Sequence, residues 1–150
     1  MRISQEVRIE AKPETVWHWL GDPARATSWM ASVSQTEILR RTPDWAGTTF
    51  RETLKEGGRA TEIRGTVTAY VPKRHMAFHL EGEFNTADVV WEIRQEGATV
   101  VVSQDANVAF KGALRVFSLL AGPLMRKQIT RQARHELSRL KDLCEGSALT

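Results

Sequence analysis

Residues 112–146 read GALRVFSLLAGPLMRKQITRQARHELSRLKDLCEG. Apolar side chains fall at Leu114, Phe117, Ala121, Met125, Ile129, Ala133, Leu137, Leu140 and Cys144. Steps of three and four put them on one stripe of a long helix. Pro123 lacks the amide hydrogen that the helix needs, so a kink is expected near it. Lys127, Arg131, Arg134, Ser138 and Lys141 fall on the opposite stripe, and Gly146 is the expected stop. A helix with one greasy stripe needs an apolar surface to lie on.

The preceding residues supply that surface. From about 33 to 110 apolar and polar residues alternate, in runs broken by turn signals: Gly57-Gly58, Pro72-Lys73 and Gly97. Period two with short breaks predicts a meander of about six antiparallel strands. The inward faces are Phe50 and Leu54; Ile63, Val67, Ala69 and Val71; Met76, Phe78 and Leu80; Val89, Trp91 and Ile93; Val100, Val102, Ala106 and Val108. Residues 2–11 alternate too, with Ile3, Val7, Ile9 and Ala11 on one face, and form a further strand. Pro13 and Asp22-Pro23 are helix starts, so two short helices follow that strand and end near Trp29.

The chain has 150 residues and a mass of 16.9 kDa, the usual size of one domain, so 1–150 is expected to form a single domain. Hydrophobic residues make up 41%, which excludes disorder over most of the chain. The single cysteine, Cys144, cannot form an internal disulfide. The first residues lack the apolar run of a signal peptide, and the apolar stretch Val116–Met125 is too short to span a membrane. A cytoplasmic protein is expected. The net charge of +3 permits an anionic partner without demanding one.

The architecture expected is α+β: a curved antiparallel sheet of about seven strands wrapped around the long C-terminal helix, with two short helices after the first strand. A strongly curved sheet leaves a hollow against its helix, and such hollows are default ligand sites. Ala11-Lys12-Pro13-Glu14-Thr15-Val16-Trp17, Leu20-Gly21-Asp22-Pro23, Trp29, Gly47-Thr48-Thr49-Phe50, Gly65-Thr66-Val67 and the terminal helix with Leu137 and Leu140 carry a resemblance. The chain resembles the START-related SRPBCC superfamily, the birch-pollen-allergen-like helix-grip fold. It looks most like the bacterial polyketide cyclase/dehydrase and lipid-transport group. The resemblance implies a small hydrophobic ligand, lipid-, sterol- or polyketide-like, held between sheet and helix. It also implies two alternatives, a polyketide cyclase/dehydrase acting in the same cavity or a protein-interaction module of the co-chaperone-activator type.

Candidate chemistry is sparse. His75 and His79 are four apart on a strand, about 13 Å, so they cannot share one metal ion. Cys144 lies on the apolar helix stripe and reads as a packing thiol. No glycine-rich phosphate loop or nucleophile elbow occurs, and no metal or cofactor is expected. Gln5, Glu52 and Gln104 interrupt dry faces. A buried carboxylate is costly unless paired or protonated, so Glu52 is the weak candidate for a general acid or base. Gln5 and Gln104 are suited to hydrogen-bond a ligand or each other. Trp29, Phe50, Phe78, Trp91 and Phe117 complete the expected ligand-binding wall. Nucleic acid is not an expected partner, since no exposed aromatics interleave with the basic residues; a homodimer is left open.

Overall fold

The computed structural model describes residues 1–56 and 58–148. Seven strands form one antiparallel sheet: β1 Arg2–Ile9, β2 Val33–Arg40, β3 Thr49–Glu56, β4 Arg59–Val71, β5 His75–Glu81, β6 Asn85–Glu96 and β7 Thr99–Phe110. Their order is β1-β7-β6-β5-β4-β3-β2, so the meander runs β2 to β7 and β1 adds to its far edge. The chain therefore has the helix-grip architecture that its alternation and terminal stripe predict. Gly57 of the expected Gly57-Gly58 turn lies outside the described residues; Gly58 has φ +78°, a conformation glycine adopts at no steric cost.

Helix α1, Pro13–Leu20, opens on its proline and buries Val16 and Leu20. The second short helix is a 3₁₀ segment, Pro23–Ser28, capped by Asp22, whose carboxylate accepts from the Ala24 amide at 2.9 Å. Trp17 Nε1 donates to the Tyr70 hydroxyl at 3.0 Å, which donates to the Gly21 carbonyl at 3.1 Å. That chain ties the end of α1 to β4.

One register shift corrects the inward set. The β4–β5 pairing slips between Val67 and Ala69, leaving one extra residue on β4. An inserted residue inverts the alternation beyond it. Tyr70 rather than Ala69 then packs on the core, and Val71 is 48% exposed.

The long helix α2 runs Gly112–Ala148 with a break at Ala121, where φ is −113° and ψ 17°. Pro123 explains it: the ring leaves no room for the carbonyl of Leu119, four residues back. Beyond the break the predicted stripe holds. Leu137, Leu140 and Cys144 are buried, and α2 packs on β1, β7 and α1. Before the break the helical phase does not carry through, and Phe117, expected to face inward, is 53% exposed. Gly146 does not end the helix, because it does not take the left-handed conformation of a terminating glycine.

Gly65 on β4 faces inward opposite Phe50 on β3. A Cβ there would overlap the Phe50 ring. Gly65→Ala is therefore expected to lower stability by roughly 1–3 kcal/mol, the usual cost of overpacking, read as a lower urea midpoint with an unchanged slope.

Candidate functional site

Between the inner face of the sheet, the end of α1 and the 3₁₀ segment lies a cavity whose walls follow from strand register. On β5 and β6 the inward pairs are Met76 with Trp91, Phe78 with Val89 and Leu80 with Ala87. Phe50 reaches over Gly65 and meets Phe78 edge to face, centroids 6.1 Å apart. Trp29, at the end of the 3₁₀ segment, donates from Nε1 to the Trp19 carbonyl at 3.2 Å. That bond holds its ring edge-on to Trp91 at 5.7 Å. Such pairs are favourable and resist rotation, so the walls are stiff.

The cavity has a volume of about 120 Å³. Beside it is a second hollow of about 190 Å³, where Ile129, Gln132, Ala133 and Glu136 of α2 close the far side. Trp29, Met30, Trp91 and Gln104 line both. Each alone is smaller than the ~300 Å³ at which typical ligand pockets begin. Met30 and Met76, which adapt their shape at low cost, are the walls able to give way.

Few polar groups face this space. The Glu52 carboxyl is pushed up to about 7, first by burial and second by the charge of Glu136. It has no hydrogen-bond donor among the described residues. Its cross-strand neighbour on β2 is Thr36, whose Oγ1 is buried without a partner. Buried polar groups are normally satisfied, so a partnerless hydroxyl across the strand pair from a cavity-lining carboxyl is informative. Glu136 is 8% exposed and accepts from Gln132 Nε2 at 3.1 Å. The Glu136 charge and the dry surroundings both act to keep the Glu52 carboxyl protonated.

Six of the expected wall residues come together: Trp29, Phe50, Glu52, Phe78, Trp91 and Gln104. Gln5 sits opposite Gln104 in the β1–β7 register but does not line the cavity. Phe117 is excluded by the kink. Glu136 is a cavity residue that the sequence reading passed over. Its signal was available: it lies three residues after Ala133 and four before Leu140, on the inward side of the helix.

His75 faces Glu92 at 3.5 Å, and His79 lies between Glu81 and Asp88, each at 2.7 Å, on the opposite side of the sheet from the cavity. Among the described residues no three His, Cys, Asp or Glu side chains are grouped to hold a metal ion. Cys144 is fully buried, and burial pushes its thiol up to about 12, which leaves it unreactive.

Solved structures share the architecture. The protein TTHA0849 from Thermus thermophilus superposes with a TM-score of 0.83 at 19% identity, covering 99% of each chain. A START superfamily protein from Mycobacterium smegmatis gives 0.75 at 20%, again over 99% of each. The Zhui aromatase/cyclase from Streptomyces sp. R1128 gives 0.75 at 14%, over 99% of this chain and 93% of that one. At such identities the likeness establishes the fold. No curated protein is detectably similar in sequence. The family model for polyketide cyclase / dehydrase and lipid transport matches residues 1–145, and the chain belongs to that family.

Proposed function

We propose that the chain binds a small, flat, largely apolar molecule between Trp29, Phe50, Phe78 and Trp91, with one polar end of that molecule at Glu52 and Thr36. The observation that carries this reading is the pairing of a stiff aromatic wall with a desolvated carboxyl, Glu52, whose cross-strand neighbour Thr36 keeps a buried hydroxyl without a partner. A merely packed core has no reason to strand a carboxyl and a hydroxyl side by side. Apolar burial supplies most of the affinity, and the polar end sets orientation. Membership of a family whose description covers cyclases, dehydrases and lipid transport supports the same class of ligand.

A second reading is proton transfer on that ligand. A carboxyl titrating near 7 is matched to general acid–base work at neutral pH, and Glu52 is the residue placed for it. The aromatase/cyclase neighbour is in keeping with this chemistry.

Native mass spectrometry of the purified chain tests the binding reading. The expected result is a bound apolar molecule of low mass, lost in Leu80→Phe, which fills the cavity. A wild-type chain with nothing bound, or a ligand retained equally by Leu80→Phe, overturns it. Glu52→Gln separates the readings: a pure binder returns its ligand chemically unchanged from both proteins, whereas a catalyst releases a product that the variant does not.

A further inference from the structure

The first third of α2 carries an exposed apolar surface that the cavity does not use. Val116 is 61% exposed, Leu119 81%, Leu120 82% and Leu124 69%. Before the break at Ala121, Val116 and Leu120 lie four apart on one side of the helix; beyond it Leu124, Lys127, Arg131 and Arg134 fall at steps of three and four on one side of the second segment, all exposed. The exposed surface of α2 thus changes from apolar before and just after the break to cationic beyond it.

The charge around it is one-sided. From Ala106 to His135 the sequence contains six Lys or Arg and no Asp or Glu, so the rest of the chain is net negative. Lys111 is engaged with Glu81 at 3.1 Å, and Arg126 donates to the Arg2 carbonyl at 2.9 Å. Arg115, Lys127, Arg131 and Arg134 form no ion pair among the described residues.

We propose that the exposed surface of the two segments of α2, from Val116 to Arg134, docks on an anionic lipid bilayer. The leucines enter the boundary between headgroups and acyl chains, and the cations meet the headgroup phosphates. Apolar side chains beside unpaired Lys and Arg are the chemistry that such an interface takes. A second copy of the same face offers these cations no anion, so self-association is the poorer match. In the first turns Leu114 is half-buried, whereas Val116, Leu119 and Leu120 are exposed. The other side of the same helix turns Ile129 and Ala133 to the cavity, so docking and ligand site share one element without sharing side chains.

Sedimentation of the full chain with pure phosphatidylglycerol vesicles and with pure phosphatidylcholine vesicles tests this. Binding to the first is expected, weak or no binding to the second, and loss of binding as salt rises. Leu120→Glu with Leu124→Glu removes binding; Lys127→Glu with Arg131→Glu weakens it by roughly tenfold or more. All four positions are exposed, so circular dichroism stays unchanged. Leu80→Phe, which blocks the cavity, leaves vesicle binding intact. The proposal is overturned by no binding to phosphatidylglycerol, by binding that the leucine changes leave untouched, or by a dimer in analytical ultracentrifugation that those changes split.

Discussion

Trp91→Ala is expected to lower the free energy of unfolding by roughly 3–5 kcal/mol. Trp91 is 2% exposed, packs edge-on to Trp29, and lies between Met76 on β5 and Gln104 on β7. Its removal strips one wall from both hollows and takes away the surface on which Trp29 rests. Trp29 is itself held at its indole nitrogen, so the site cannot collapse freely and much of the vacated space persists. Urea unfolding reads the loss. Added indole is expected to raise the midpoint of the variant and to leave the wild type where it was, because only the variant has the matching hole. A loss below about 1 kcal/mol, the level of a half-exposed residue, would contradict the placement of Trp91 at the centre of the inner face.

Glu52→Gln is expected to change the pH dependence of stability more than any surface substitution. The folded carboxyl titrates near 7 and the unfolded one near its ordinary 4.5. Below about 4.5 both states hold the proton and the group costs nothing. Between the two values only the folded state keeps it, so stability falls as pH rises and levels off above 7. The full drop is on the order of 3 kcal/mol at 1.36 kcal/mol per unit. Glutamine is neutral throughout and removes that decline. Urea midpoints at pH 5 and pH 8 should therefore differ less in the variant, which is the more stable protein at pH 8. An unchanged pH profile would mean that Glu52 reaches water rather than the cavity.

Much of this was legible in the residues themselves. The stripe from Met125 to Cys144 is regular, and β5, β6 and β7 each keep apolar residues on every second position of one face, although Val101 on the other face of β7 is buried as well. Burial then enforces a single register. Trp91 and Phe78 could be set on one inner face from that rule, and Glu52 stood out as a polar residue on the dry face of β3. The rule fails where the chain departs from ideal geometry. A single extra residue near Thr68 exchanged Tyr70 for Ala69, and nothing in Val-Thr-Ala-Tyr marks a bulge. Pro123 announced a kink, but not that the turns before it would face away from the sheet and carry Phe117 with them. Glu136 escaped notice because charged residues on helices normally face water; only its place between Ala133 and Leu140 gave it away. The absence of acid from Ala106 to His135 was equally visible, but its meaning depended on learning that the leucines within it are exposed.

The most direct test of the cavity is a nuclear magnetic resonance titration of the labelled protein with 2-naphthol. The account predicts saturable shifts at the Trp29 and Trp91 indoles and at the Met30 and Met76 methyl groups, all abolished in Leu80→Phe. Shifts confined to the exposed Val116–Leu124 turns, or none at the four cavity residues, would contradict it.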